Sequence, residues 1–326
     1  MGISIKGKGG GARVTIDGKP ATEKLNFKKV EIEGSRMQDV YDYNVLKIIK
    51  INKDTLAYAH SNDTYVTNTK YIKADTFSKE DLKIIELTIP VDVHCNVGDI
   101  FTGNEKNTLY HIETRYSERY LKETKINFDN ISTTQTELLN EDDNNRLDSG
   151  IYLDENTLLL VYYRNAIPSL YRYNKINNSK TLLLSNIDSQ NEHLDFIGVY
   201  KNNVYYENKY KHHFCKYDIE KNEVTILFKP EEKFNKPNFS HSVSIDANNN
   251  NIFYFYFFSG DDKKIIRIKY DLDTDKFESK EIECSFIDRY FSDLKVFESD
   301  SINCLLIYGN RGWCQRTNIY AYSLLN

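Results

Sequence analysis

Apolar residues along this chain fall in short runs that polar clusters separate. Three such runs are residues 45–49 (VLKII), 157–163 (TLLLVYY) and 252–258 (IFYFYFF). They are rich in β-branched and aromatic residues and alternate at period two, and no long segment has the 3.6-residue period of a helix. Asn, Asp, Lys and Ser fill the intervening segments. The pattern predicts an all-β chain of many short antiparallel strands.

A motif recurs along the chain: a strand that ends in Tyr and then Asn or Asp, a polar turn, and another strand. It occurs at residues 170–182, 214–226 and 266–277, and weaker copies lie elsewhere. Asn and Asp suit the corner because their side chains bond nearby backbone groups. The corner residue of each copy marks its position, and these residues are Asp75, Asp129, Asn174, Asp218, Asp271 and Ser323. They are spaced by 54, 45, 44, 53 and 52 residues. This period, with four strands per unit, predicts a β-propeller.

The repeat divides the chain into six predicted blades at 39–90, 91–143, 144–188, 189–233, 234–284 and 285–326. In the third blade, the strands are expected near 150–154, 157–163, 169–174 and 180–185. The last blade stops after its third strand, and the alternating segment Lys24–Glu33 is predicted to supply the fourth, because an open ring leaves strand edges unpaired. The predicted fold is therefore an all-β, six-bladed β-propeller closed by an N-terminal strand, with a short glycine-rich N-terminal extension.

The Tyr-Asx corner resembles that of six-bladed propellers of unknown function, and the resemblance covers about residues 24–326. It implies the fold and no activity. The Asp box of sialidases, the Trp-Asp dipeptide and the double glycine of kelch repeats are absent from residues 24–326. The propeller domain is predicted to span residues 23–326.

Residues 1–22 differ in composition, since six of the fourteen glycines fall in the first 18 residues. Two short alternating pieces flank Gly9–Gly11, and Asp17-Gly18 is a hairpin signal. A piece this small needs a partner to which it can add strands. The side chains predicted to dock are Ile3, Ile5, Val14 and Ile16. The segment is similar to the leaders that attach phage tail fibres and phage-tail-like bacteriocin proteins to a baseplate, which implies tail or baseplate partners.

Candidate ligand residues are of two kinds. In a propeller, the loops that enter each first strand and the loops that join second to third strands share one face. Polar residues enter the first strands, and three carboxylates among them could hold a cation or a sugar hydroxyl: Asp148, Asp195 and Asp293. The other residues at these positions are Asn44, Asn96 and His241. The alternative, that these side chains only cap loop backbone, stays open.

The second kind comes from the loops between second and third strands. Aromatic rings beside charged groups are what carbohydrate recognition uses, because sugar CH groups stack on the ring. The candidates are Tyr116, Arg164, Tyr210, His212, Arg311 and Trp313. Trp313 could instead fill the seam between the last blade and the first.

Several function classes are excluded or disfavoured. The net charge of −5 provides no basic surface for nucleic acid, and no apolar run of about 18 residues exists to insert into a membrane. No nucleophile elbow or phosphate loop occurs. His212 and His213 are adjacent, so on a strand they face opposite ways and would not chelate one ion. We predict no metal site and no cofactor.

These observations predict a phage tail or phage-tail-like particle component that recognises a host-surface polysaccharide and is not an enzyme. Without a visible signal peptide, it is expected to be made in the cytoplasm and assembled into the virion or particle. Two alternatives stay open: a cytoplasmic propeller enzyme, such as a lyase or glycosidase, and a general protein-interaction propeller. A homo-oligomer is also left open, although no heptad segment is present.

Overall fold

The computed structural model of the protein describes part of the 326-residue chain. The described residues are 15–16, 19–20, 23–24, 27–29, 44–52, 55–61, 71–77, 84–89, 91, 96–102, 107–127, 129–130, 132–142, 145–164, 167–185, 187, 194–208, 211–236, 240–246, 249–259, 264–283, 293–299, 304–310 and 317–324. Before residue 89 and after residue 282, only the backbone of strands is described. The described part is nearly all β, as the hydrophobic pattern predicts. No helix in it has the length and apolar character needed to span a membrane.

The strands form consecutive antiparallel four-stranded sheets, which we label I to VI. Sheet I contains β5 (Asn44–Asn52), β6 (Thr55–Ser61), β7 (Tyr71–Phe77) and β8 (Ile84–Ile89). Sheet II contains β9 (Asn96–Thr102), β10 (Thr108–Arg115), β11 (Glu118–Asn127) and β12 (Ser132–Asp142). Sheet III contains β13 (Arg146–Asp154), β14 (Thr157–Arg164), β15 (Ile167–Asn174) and β16 (Ser179–Ser185), which agrees with the strands predicted there.

The remaining sheets follow in the same order. Sheet IV contains β17 (Leu194–Tyr200), β18 (Asn203–Asn208), β19 (His213–Asp218) and β20 (Glu223–Phe228), and the single helical turn α1 (Pro230–Lys233) follows it. Sheet V contains β21 (Ser240–Ile245), β22 (Ile252–Ser259), β23 (Lys264–Asp271) and β24 (Lys276–Glu283). Sheet VI contains β25 (Asp293–Ser299), β26 (Cys304–Asn310) and β27 (Thr317–Leu324). We call the end of the sheets where second strands connect to third strands the upper end.

Four short strands precede the sheets: β1 (Thr15–Ile16), β2 (Lys19–Pro20), β3 (Glu23–Lys24) and β4 (Phe27–Lys29). β1 pairs antiparallel with β2, with Ile16 opposite Lys19, which agrees with the hairpin signal of Asp17-Gly18. β4 pairs antiparallel with β27 and is the fourth strand of sheet VI. The single strand predicted at Lys24–Glu33 is thus divided between two strands, since Lys24 belongs to β3, which pairs in parallel with β24 of sheet V, whereas residues 27–29 form β4.

The Tyr-Asx corner has a physical basis that its sequence pattern predicts only in part. The Asn174 side chain accepts a hydrogen bond from the backbone N–H of Ile176 at 2.9 Å, as expected for an Asx corner. The preceding residue, Tyr173, is buried and donates its hydroxyl proton to Asn178 Oδ1 at 2.9 Å. Asn178 has a left-handed backbone with φ of 55°. The tyrosine therefore fixes the far side of the turn as well as filling the core.

The same hydrogen bonds recur in the next two sheets. The tyrosine hydroxyl contacts Asn222 Oδ1 at 2.7 Å from Tyr217 in sheet IV, and Asp275 Oδ1 at 2.8 Å from Tyr270 in sheet V. Both acceptors have positive φ. One correction applies to sheet II. There the corner is Asn127, whose Oδ1 accepts from the N–H of Asp129 at 3.0 Å, rather than Asp129 itself.

The core lies between the faces of neighbouring sheets. Along β14, Leu158, Leu160 and Tyr162 pack against sheet II, whereas Leu159 and Val161 pack against sheet IV. Both faces of this strand are buried, so its sequence is an almost continuous apolar run. Because the sheets pack this closely, a β-carbon at position 150 would lie 2.6 Å from the Phe101 ring, and only glycine fits there.

An aromatic cluster fills the space between sheets IV and V. The ring of Phe255 is fully buried and lies 5.0 Å from that of Phe234, 5.3 Å from that of Phe214 and 5.9 Å from that of Phe228 (centroid distances). Phe234 directly follows α1, so this packing fixes the position of the helical turn. The acidic residues of α1 are thereby held at the boundary between the two sheets.

Candidate functional site

A cluster of two histidines and two glutamates joins sheets IV and V. We call it the His-Glu cluster, and its members are Glu207, His212, Glu231 and His241. Each comes from a different element. Glu207 lies near the end of β18, His212 in the turn between β18 and β19, Glu231 in α1, and His241 at the second position of β21.

His241 is the centre of the cluster. Its Nδ1 lies 2.9 Å from Glu231 Oε1, and its Nε2 lies 3.0 Å from Glu207 Oε1. The second contact is not aligned as a hydrogen bond, so it is an electrostatic contact. The side chains of His241 and Glu207 are 1% and 2% exposed, and charges buried to this degree are stable only when they are paired.

The electrostatics of the cluster follow from this burial. Burial by itself lowers the pKa of His241, but contacts with Glu207 and Glu231 outweigh it and raise the pKa to about 9. For Glu231, burial raises the pKa, and the hydrogen bond and charge of His241 lower it by more, so that its pKa is below the ordinary value. At neutral pH, His241 is therefore an imidazolium between two carboxylates, and this trio carries a net charge of −1.

His212 completes the cluster from the solvent side. Its Nδ1 lies 3.8 Å from Glu231 Oε1, its ring centroid lies 6.0 Å from that of His241, and its side chain is 60% exposed. One donor atom each from Glu207, His212 and His241 lie within 4.8 Å of one another, which suits a metal ion. With its negative charge, the cluster suits a cation or the hydroxyl protons of a polar ligand.

The predicted ligand residues lie at different places in the fold. Tyr116 is in the turn between β10 and β11, and its side chain is 87% exposed. Arg164 is the exposed last residue of β14. Both lie at the upper end, as does His212, which is the one predicted ligand residue that belongs to the His-Glu cluster.

The predicted carboxylates enter first strands, as expected. Asp148 lies on β13, where its Oδ1 is 3.3 Å from Arg146 Nη2. Asp195 lies on β17, directly opposite Glu207 in the strand register. Asp293 begins β25, where only the backbone is described.

For the other predicted site residues, the structure describes no side chain. Ile16 lies on β1, whose backbone alone is described. Six of the predicted site residues lie outside the described part of the chain: Ile3, Ile5, Val14, Tyr210, Arg311 and Trp313.

The sequence pattern did not identify two members of the His-Glu cluster, Glu207 and Glu231. Glu207 had a signal, since a carboxylate in the buried strand Asn203–Asn208 is unusual and needs a partner. Glu231 had none, because Pro-Glu-Glu-Lys is an ordinary start for an exposed helical turn. His241 was placed correctly at the start of a first strand, but its partners come from other segments.

Comparisons with known proteins give no family for this chain. No family model matches it, and neither does any curated protein. Among solved structures, TolB from Acinetobacter baumannii is similar with a TM-score of 0.49 and 10% identity over 85% of this chain, which spans only 65% of the TolB chain. An oligogalacturonate lyase in complex with manganese is similar with a TM-score of 0.46 and 11% identity, covering 94% of this chain and 99% of the lyase. A nidogen/laminin complex is similar with a TM-score of 0.46 and 9% identity, covering 72% and 79%.

The class of protein follows from the sheets themselves. Consecutive antiparallel four-stranded sheets, each in chain order and packed face to face, make up a β-propeller type of fold. The expectation of a propeller is thus supported at this level.

Proposed function

We propose that the chain is a six-bladed β-propeller closed by β4, with sheets I to VI as its blades. The first strands of successive sheets lie side by side, and β25 also lies beside β5, which supports a closed ring. Pairing of β4 with β27 supports closure by an N-terminal strand. Without β4, the outer side of β27 would be an unpaired sheet edge, which is the physical reason for such a clasp.

We further propose that the protein is a binding module that recognises a polysaccharide at the upper end. The observation that carries this proposal is the backbone of two upper-end turns. In the described part of the chain, the non-glycine residues with positive φ are Asn107, Tyr116, Asn178, Lys201, Asn202, His212, Asn222, Asn235 and Asp275. Six of the nine are Asn or Asp, which tolerate this conformation.

The two upper-end exceptions are Tyr116, with φ of 50°, and His212, with φ of 52°. A bulky side chain in the left-handed region costs about 1–2 kcal/mol, and such strain clusters at functional sites. The third exception, Lys201, lies at the opposite end, where its ammonium group contacts Asp273 Oδ1 at 2.7 Å. The upper turns thus hold an aromatic ring and an imidazole in solvent, where asparagine would be more stable.

Carbohydrate is the ligand class that best fits these groups. An exposed phenol ring offers a flat surface for sugar CH groups, and the carboxylates and the Arg164 guanidinium offer hydrogen bonds to hydroxyls. The net charge of −5 disfavours nucleic acid as the ligand. Recognition without chemistry is proposed because the described upper-end turns display the side chains of Tyr116 and His212 to solvent, and the sequence has no nucleophile motif.

Replacing Tyr116 with asparagine tests the role of this ring. We expect about tenfold weaker binding to the best polysaccharide on an array of bacterial capsular and cell-wall polysaccharides, because one aromatic contact is lost. The melting temperature is expected to stay constant or to rise, since asparagine relieves the left-handed strain. The matched control is Ile176→Asn, which removes an exposed side chain from a turn at the opposite end.

Three results would contradict the proposal. They are no polysaccharide binding by the unmodified protein, equal binding by the Tyr116→Asn variant, and an equal loss in the Ile176→Asn variant. Shortening of the bound polysaccharide would instead support the enzyme alternative.

The proposed setting is a phage tail or tail-like particle, with residues 1–22 docking to tail or baseplate proteins. A two-stranded piece such as β1–β2 is marginal alone and gains stability when a partner extends its sheet, which supports docking by strand addition. Deleting residues 1–22 is expected to abolish co-purification with assembled particles and to leave polysaccharide binding unchanged. Retention of the deleted protein in purified particles would overturn the docking proposal without affecting the recognition proposal.

A further inference from the structure

We propose that Glu207, His212 and His241 bind a divalent transition-metal ion of the Zn²⁺ type at the junction of sheets IV and V. The donor set is two imidazole nitrogens and a carboxylate oxygen, and these atoms already lie within 4.8 Å of one another. This set matches the three-ligand zinc sites that keep a fourth position open.

The geometry requires small movements only. Two ligand atoms on one tetrahedral Zn²⁺ ion are about 3.4 Å apart, given metal–ligand bonds of about 2.1 Å. Glu207 Oε1 and His241 Nε2 are 3.0 Å apart, so an ion can enter between them with a slight separation. His212 provides the third ligand. It lies in a turn, where its exposed side chain is free to change rotamer.

The orientation of His241 is the strongest argument. Histidines that bind a metal with one ring nitrogen usually donate the other N–H to a carboxylate, which fixes the ring. Here Nδ1 faces Glu231 Oε1 at 2.9 Å, which leaves Nε2, 3.0 Å from Glu207 Oε1, as the ring nitrogen that can bind the ion. Glu231 is therefore a positioning residue. On coordination, the ion replaces the proton on Nε2, and that proton passes to solvent.

The choice of ion follows from donor type and access. Imidazole nitrogens favour Zn²⁺ and related transition metals, whereas Ca²⁺ and Mg²⁺ prefer sites made of oxygen ligands. The His212 side chain is 60% exposed, so an ion has a path to the site from solvent.

The sequence argument placed His212 and His213 together on a strand, but His212 lies in the turn that precedes β19 and has a φ of 52°. His213 is the first residue of β19 and pairs in register with Asn208. It is not among the three donors, which makes it a matched control. This inference does not rest on polysaccharide recognition, because metal binding is measured without any polysaccharide.

The experiment is calorimetric titration of the full chain with ZnCl₂ after dialysis against a chelator. We expect saturable binding of one ion per chain. In the His212→Asn variant, the new asparagine tolerates the left-handed backbone but is only a weak metal ligand. This variant is expected to bind Zn²⁺ at least about tenfold more weakly. The Glu231→Gln variant is expected to weaken binding by about 10- to 100-fold. The His213→Asn control should bind as the unmodified protein does.

The proposal would be overturned by the absence of saturable Zn²⁺ binding, by unchanged binding in the His212→Asn variant, or by an equal loss in the His213→Asn control. A titration with CaCl₂ that matched the ZnCl₂ titration would also overturn it. Each variant is compared by thermal unfolding in the chelator, where the melting temperature of His212→Asn should stay constant or rise, because the side chain is exposed and asparagine tolerates the left-handed backbone.

Discussion

Replacing Phe255 with alanine is expected to lower the free energy of unfolding by about 3–5 kcal/mol. The side chain is fully buried among the rings of Phe214, Phe228 and Phe234, so its removal leaves a cavity that these rings cannot fill. The loss combines the transfer free energy of the ring with the cost of that cavity. Urea unfolding followed by tyrosine fluorescence measures it.

A second alanine variant in the same sheet provides the control. Phe277 is 37% exposed and lies beside Phe234 at 5.1 Å, so Phe277→Ala should cost only about 1 kcal/mol. Equal losses in the two variants would show that the cluster between sheets IV and V does not hold this part of the fold together.

Replacing His241 with phenylalanine is expected to destabilise the protein by about 3 kcal/mol in a buffer that contains a metal chelator. The ring volume is retained, and so is the packing against Phe257 at 5.4 Å. What is lost is the positive charge that faces Glu207, a carboxylate that is 2% exposed. Breaking a buried ion pair from one side costs more than the pair itself contributes, because the remaining charge stays desolvated. Urea unfolding at pH 7 is the measurement.

A double variant separates charge from packing. Adding Glu207→Gln to His241→Phe replaces the carboxylate by a neutral amide, so we expect part of the lost stability to return. If the double variant is no more stable than His241→Phe alone, the charge of Glu207 is not the cause of the loss.

The Tyr-Asx corner shows how much of the fold local sequence can predict. The motif predicted an Asx corner from Asn174, Asp218 and Asp271, and the hydrogen bonds of these side chains to the following backbone confirm it. Such bonds join residues two or three positions apart, so sequence spacing is sufficient to predict them. The contact of Tyr173 with Asn178 spans five residues and needs the shape of the turn, which the motif alone does not describe.

The His-Glu cluster shows what the local sequence does not predict. His212 and His241 each carried a positional signal, one from its turn and one from its place at the start of a first strand. Glu231 carried none, because its role depends on α1 being held in place by Phe234 within the aromatic cluster. That contact exists only once sheets IV and V are packed together.

The sequence by itself therefore determined the strands, their grouping in fours and the corners between them, because period-two patterning and Asx turns act over a few residues. Tertiary structure alone decided which charged groups meet. Burial of Glu207 requires a cation, and the chain supplies His241 from the next sheet through face-to-face packing. Desolvation makes that pairing necessary, and desolvation is a property of the assembled sheets rather than of any one segment.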